Sequence, residues 1–561
     1  MFHDEADAQH KKDTAQLEKF GYKQDLRRSL GFFSNFAIAF SFISATNGFY
    51  ALFYYGLDVG GPAGLFWAWP IVVFGQFMVC LVFAEAASHY PLAGDVYQWA
   101  KRFMGGSYAW FVAWAFAWAL LATIAAIAFG AAPIVCSLFG WDASSTTNLF
   151  LIALFFTLAP MLLNVYSVKI AAFFNNIGTV TEIIGLVVIS IALYAAVIFG
   201  KGDHQSIGVI FDQGGTAAGH AWGYGGAFLA SMLTSAWVLY GFHSAGGLAE
   251  ETVNPTRAVP RAMIFAVGLT AIISAFWLFA MVLAIPDVAK TQAEGTNAIA
   301  YIFDAHFAKW VTDVFLVAVL TAIFVCCLAV QVATTRLMYA YGRDKMVPAS
   351  RFFGFVWPRT KTPILSALFV AIATIAVLIY VNLGGSDPFI SIARVTAWAT
   401  AGTYVVYQMV VVGSMVARSG GWPRQKAYFN LGRWGWPVSI IGLVYGVFMI
   451  INLSWPRTPD AAWYDNYLVI VSIAAVFVLG AIVYLIQRAR GVDLGATIHE
   501  LVEAPAEEAA MPGPVGATAV ADTAPLEMAG DQAPGTGPVS IDPPGGSQMP
   551  GGPQTPGGPQ I

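Results

Sequence analysis

The sequence predicts an all-α polytopic membrane protein of twelve transmembrane helices, the first and sixth interrupted near the middle of the bilayer. Three observations carry this expectation. Of 561 residues, 58% are hydrophobic and 11% charged, whereas soluble domains are about one-quarter charged. Windows of about 20 apolar residues recur along the chain at the length needed to cross a bilayer. Finally, 23 of the 28 Lys and Arg residues fall in segments that an even number of crossings would place on one side, which fixes that side as the cytoplasm and puts both termini there.

The spans are expected at 31–56, 62–88, 108–137, 148–166, 170–199, 223–249, 260–285, 308–341, 363–382, 388–417, 435–455 and 465–488. Residues 1–30 form a cytoplasmic N-terminal segment without an apolar core or a small-residue cleavage site, so no signal peptide is expected. Spans 1–5 make one half of the molecule (31–200), spans 6–10 a second (223–417), and spans 11 and 12 (435–488) carry little polar material and read as peripheral. Residues 491–561 form a cytoplasmic tail rich in Pro, Gly and Ala, too poor in apolar residues to bury a core and expected to be disordered. From Leu501 onward that tail holds seven acids and no Lys or Arg, so the formal charge of −4 belongs to it and gives no reason to expect a nucleic-acid partner.

Span 6 carries the strongest local signal. Its apolar run enters Tyr240-Gly241-Phe242-His243-Ser244-Ala245-Gly246-Gly247, residues that weaken a helix or compete for its backbone hydrogen bonds. A helix opened at membrane depth bares peptide groups that must line a cavity or be buried in protein. The alternative is that the glycines only allow close helix packing. Span 1 has one polar cluster, Ser44-Ala45-Thr46-Asn47-Gly48, and it too is expected to open. Two weak points five helices apart fit two five-helix halves related by an inverted repeat, with a shared site near the midplane.

Other polar residues are read against plainer roles. Glu85, at the end of span 2, is a candidate gate carboxylate, or it meets interfacial water or a nearby cation. The segment after Pro91 and Gly94, with Lys101 and Arg102, reads as a short amphipathic helix at the cytoplasmic surface. Glu182 lies 13 residues beyond Lys169, roughly 20 Å into a core about 30 Å thick. Such a carboxyl must be paired, protonated or wet, and it is the candidate for proton coupling. Thr334 and Thr335 could offer oxygens to a small cation or bond carbonyls one turn back. Cys80, Cys136, Cys326 and Cys327 sit in apolar runs without metal or redox spacing and read as inert packing.

Several stretches together resemble one family. Gly21-Tyr22-Lys23-Gln24-Asp25-Leu26 leading into Asn35 through Ser44, Gly60-Gly61-Pro62, Ala84-Glu85 through Pro91-Leu92-Ala93-Gly94, Gly246 through Glu251 with Pro255 and Ala258 to Ala262, and Gly342-Arg343-Asp344 are similar to the amino acid/choline transporter family. That family includes GABA permeases and belongs to the amino acid-polyamine-organocation (APC) superfamily. The resemblance covers about residues 20–490. It implies a LeuT-type fold of five plus five helices with two more, and a permease importing an amino acid, GABA or related amine through the cell membrane. By the same motifs, the backbone opened at Ser44, Thr46, Asn47 and Gly48 would hold a substrate carboxylate. Tyr240, Phe242, His243, Ala245, Gly246 and Gly247 would line the rest of the site, with Glu250 and Glu251 beside it as gate residues. The chain departs from the family in having one glycine in the span 1 break, and in placing Glu182 where several relatives carry a coupling lysine.

Proton-driven uptake through Glu182 is the expectation; sodium coupling using span 1 carbonyls with Thr334 and Thr335, or amine exchange, is the alternative. No cofactor, metal site or enzymatic activity is expected. Of eight histidines only His243 lies well inside a span, and no His-Glu-x-x-His or paired-acid motif accompanies it. A channel would call for a filter loop or charged pore lining, and neither is visible.

Overall fold

A computed structural model describes residues 2–494 apart from 144, 167, 201, 219, 221, 384–387, 458–462 and 493. The tail expected at 491–561 thus lies outside the described residues from 495 onward. Among the described residues the chain is helical, and strand pairing is limited to one isolated parallel bridge, Leu30 with Thr252.

In chain order the helices are α1 (Phe2–Lys19), α2 (Phe32–Ile43), α3 (Ala45–His89), α4 (Asp95–Met104), α5 (Gly106–Gly130), α6 (Ala132–Phe139) and α7 (Thr146–Tyr166). Next come α8 (Val168–Phe199), α9 (Tyr224–Val238), α10 (Ser244–Gly247), α11 (Pro255–Leu283), α12 (Val288–Ala293), α13 (Ala298–His306) and α14 (Lys309–Arg343). The chain continues through α15 (Ser350–Phe353), α16 (Ile364–Leu383), α17 (Pro388–Ser419), α18 (Gly435–Ser454), α19 (Trp463–Asn466) and α20 (Leu468–Ala489). Nine helical stretches among the described residues are long and apolar enough to cross a membrane, and Ile364–Tyr380 is a shorter apolar one. The first stretch, Phe32–His89, contains both of the first two expected spans.

Those two spans meet without the loop expected between 56 and 62. The chain turns instead at Gly61, whose φ of 63° lies inside the continuous run of α3. Only glycine holds that conformation cheaply, and a Cβ there would come within 2.4 Å of the Gln213 carbonyl oxygen. Pro62 follows and needs no backbone donor at the start of the next helical segment. Further along, Asn254 in a left-handed conformation stops the chain and Pro255 opens α11, the position where proline's fixed φ suits a helix.

Small residues on α3 let it lie against α9. A Cβ on Gly48 would sit 2.7 Å from Val238, and one on Gly60 2.4 Å from Ser231. Close backbone approach is how helices associate in a medium as apolar as their own side chains. The inside of the bundle is built around α5, whose apolar window with α6 is 89% buried, whereas that of α20 is 6% buried and faces outward.

One placement differs from the sequence reading. Helix α4 does not lie on a surface: Asp95, Tyr97, Gln98, Trp99 and Lys101 are all buried. Its amphipathic pattern is real, but the polar side finds protein partners, because Lys101 Nζ stands 2.6 Å from Asp344 Oδ2 at the end of α14.

Candidate functional site

The first interruption is one residue wide. Ser44 adopts φ 34° and ψ 88°, ending α2 and starting α3. Its Oγ accepts from Asn47 N at 3.3 Å and donates to Glu182 Oε1 at 3.0 Å. The Thr46 N–H donates to the same oxygen at 2.9 Å. Glu182, carried by α8, therefore caps the N-terminus of α3, where free N–H groups and the helix dipole favour an anion. Helix α8 is held in register by Thr179, which donates to the Ala37 carbonyl at 3.1 Å and meets Ser41 Oγ at 2.9 Å.

The second interruption runs from Leu239 to His243, between α9 and the single turn of α10. Gly241 has φ 113°, and a Cβ there would fall 2.1 Å from the Phe42 ring, so the two broken segments touch through this glycine. Gly241 N donates to the Tyr407 hydroxyl at 3.0 Å, and that oxygen lies 2.6 Å from His243 Nδ1. On the other side of the ring, His243 Nε2 lies 4.0 Å from Asp95 Oδ2. Phe42 and Phe116 flank the ring edge-on at 5.1 and 4.8 Å.

A small cavity joins the interruptions. Asn47, Gly48 and Phe42 line one side; Trp237, Tyr240 and Thr123 line the other. The space open to the centre of a water-sized sphere is about 10 Å³, about enough for one water. Asn47 Oδ1 and Trp237 Nε1 have no hydrogen-bond partner among the described residues. Tyr240 reaches Thr123 at 3.0 Å.

The residues singled out from the sequence divide into three groups. Asn47, Gly48 and Tyr240 line the cavity, while Ser44 and Thr46 turn to Glu182. Others face away. Phe242 packs on Phe83 and Tyr407, the Ala245 carbonyl accepts from Asn35 at 3.0 Å, and Gly246 and Gly247 lie against Trp99 and Asp95 of α4. At both glycines a Cβ would crowd α4.

The remaining candidates stand apart from the cavity, on the side expected to face the cytoplasm. Glu85 is ion-paired with Arg418 and accepts from Leu431 N at 2.9 Å, so it ties α3 to α17 and the loop before α18. Glu250 pairs with Arg343 at 2.9 Å and accepts from Ala93 N at 3.0 Å. Glu251 pairs with Arg336 at 2.8 Å, and Arg336 also donates to Asn164 at 2.8 Å. Thr334 and Thr335 donate to the Val330 and Gln331 carbonyls at 2.7 and 2.6 Å. Both hydroxyls donate to carbonyls one turn back on their own helix, and Thr335 Oγ1 also accepts from Asn164 at 3.1 Å.

The N-terminal segment closes over these pairs. Ser29 N and Leu30 N donate to the Glu251 carbonyl, each at 2.9 Å, and Val253 N donates to the Leu30 carbonyl at 2.9 Å. Arg28 reaches the Thr252 carbonyl at 2.6 Å, and Tyr22 donates to Asp344 at 2.9 Å. Burial alone would raise the Asp344 carboxyl, but Lys101 and Arg343 outweigh it and hold the group below its ordinary range.

Several of these residues were not legible as site residues. Cys326, read as packing, donates to the Phe42 carbonyl at 3.4 Å and accepts from Asn47 at 3.6 Å. Asp95, Thr123, Trp237 and Tyr407 join from segments distant in sequence. Asp95 directly after a glycine at a helix start was the one available signal, since aspartate tolerates left-handed backbone better than most residues.

A family model described as amino acid permease matches residues 30–479. Amino-acid permease BAT1 of Arabidopsis thaliana is 26% identical over 469 residues, covering 79% of this chain and 88% of its own. The BAT1 homolog of Oryza sativa subsp. japonica is 26% identical over 495 residues, 83% and 92% covered. Amino-acid permease 2 of Neurospora crassa is 24% identical over 476 residues, 81% and 84% covered. Among solved structures, a mutant manganese transporter of Eremococcus coleocola aligns over 82% of this chain and 94% of that one, with TM-score 0.50 at 13% identity, a likeness of fold alone.

Proposed function

The chain belongs to the amino acid permease family, and on that premise we propose a proton-driven carrier that takes up an amino acid, GABA or related amine across the cytoplasmic membrane. The coarse statement, an amino acid transporter with many membrane helices, rests on the family. The finer one is our reading. It includes twelve spans in two inverted five-helix halves with two more, both termini in the cytoplasm, and alternating access around the cavity between the two interruptions.

One observation carries it: Glu182 sits on the Thr46 N–H and Ser44 Oγ, the seat that a substrate carboxylate would take. Two carboxylates cannot both ionise on one seat without strong repulsion. A carboxylated substrate therefore enters as Glu182 takes a proton and yields the N–H group. Release on the inner side lets Glu182 lose that proton and return. Proton and substrate move together because they contend for the same donor.

The cavity is nearly filled and the inner side is latched, so this conformation is a closed one. Opening toward the cytoplasm must part Glu250 and Glu251 from Arg343 and Arg336. Sodium coupling through Thr334 and Thr335 is the second reading, and no observation favours it over the proton version.

Glu182→Gln keeps the shape of the cap without a proton to exchange. In proteoliposomes it should retain counterflow of labelled substrate within about 3-fold of wild type and lose accumulation driven by a pH gradient. Wild-type accumulation by this variant would eliminate the proton-carrier role. Uptake in sodium-free buffer separates the proton from the sodium version.

A further inference from the structure

A second, wider cavity lies away from the interruptions, at the end of the bundle expected to face the cytoplasm. It measures about 1190 Å³, more than enough for a headgroup and far beyond a single phosphate. Its charged lining is Arg343, Lys345, Arg351 and Arg490 against Asp25 alone. Lys345, Arg351 and Arg490 make no ion pair among the described residues. Arg343 gives its Nη1 to Glu250, and its Nε lies 3.7 Å from Asp344 Oδ1.

Part of the lining is apolar. Val483 and Ile486 of α20 contribute to it, and Ile486 is 47% exposed. Helix α20 is also the one whose apolar window is 6% buried, so this wall runs directly into the lipid-facing side of a membrane-crossing helix. Cations at the helix end with an apolar surface leading into the bilayer match a molecule that is anionic at one end and acyl at the other. Basic pockets beside membrane helices on the cytoplasmic side hold anionic headgroups in this way.

We propose that this cavity is a binding site for an anionic phospholipid, its phosphate held by Lys345, Arg351 and Arg490 and its chains lying along α20. The site does not depend on which substrate is carried. It does adjoin the inner latch: Arg343, which pairs with Glu250, also lines this cavity, so a phosphate bound there competes with Glu250 for that side chain and loosens one of the pairs that must part.

The test uses the full chain, purified in detergent and reconstituted. Thermal unfolding is followed with added phosphatidylglycerol, phosphatidylcholine or inorganic phosphate. Phosphatidylglycerol should raise the midpoint over phosphatidylcholine, and inorganic phosphate should not. At about 1 kcal/mol per surface cation, the triple variant K345Q/R351Q/R490Q should bind phosphatidylglycerol roughly 100-fold more weakly. The variant R424Q/K426Q/R433Q, which removes three other cations on the same expected side, should bind as wild type does. An equal shift in wild type and K345Q/R351Q/R490Q, or loss of the shift in both triple variants, would overturn the site. A shift reproduced by inorganic phosphate would overturn its assignment to lipid.

Discussion

Asp95 holds a backbone that few L-residues adopt, with φ 32° directly after Gly94 at φ 97°. Its carboxyl is buried, with Val96 N donating to it and His243 Nε2 at 4.0 Å. Burial raises the group to about 8, against that backbone hydrogen bond. An unfolded aspartate loses its proton near 3.9. Between about 4 and about 8 the folded chain therefore holds one more proton than the unfolded one, and this group makes stability fall as pH rises through that window. Asp95→Asn should flatten the slope, measured as the difference in unfolding midpoint between about pH 5 and about pH 8. An undiminished slope in the variant would place the titration elsewhere. The sequence exposes residues of this kind only in part. Glu182 was legible because an acid deep in an apolar run is costly wherever it points. That it reaches the Thr46 N–H, 136 positions away, is a fact of packing, as is the arrival of Cys326 at the Phe42 carbonyl.

At the scale of elements, glycines did different work in places that look alike in the sequence. Gly241, with positive φ and no space for a Cβ, makes the interruption of the sixth expected span. Gly246 and Gly247 instead bring α10 against α4, although all three belong to one glycine-rich run. The interruption of the first span was expected over Ser44 to Gly48, and it occupies Ser44 alone; Asn47 and Gly48 are already helical. Local composition marks where a helix is weak, but a partner such as Glu182 decides at which peptide it opens. The fold-back at Gly61 is a sharper case. Gly61→Ala would combine a left-handed alanine with a backbone contact of 2.4 Å. It should destabilise by at least about 1–3 kcal/mol, seen as a lower unfolding midpoint and reduced yield from the membrane. A midpoint equal to wild type would mean that the turn relaxes freely.

For the whole molecule, apolar windows and the asymmetry of Lys and Arg outlined the body, because bilayer thickness and charge placement act on composition alone. The inner closure was invisible to that reading. Residues 1–30 are polar and were read only as a cytoplasmic segment, yet their backbone pairs with the stretch that follows Glu250. Arg28→Ala removes the bond to the Thr252 carbonyl and weakens the pairing beside it. It should raise labelling of buried Cys326 by a small thiol reagent added from the cytoplasmic side about 3-fold or more, read by peptide mass spectrometry. Unchanged labelling would mean that the segment rides on the bundle without restraining it. The bridge between Leu30 and Thr252 has a practical corollary. A bulky domain fused ahead of α1 would tug on the same stretch of chain that, in the carrier we propose, must swing to uncover the site, so such fusions should slow turnover even where folding and membrane insertion are intact.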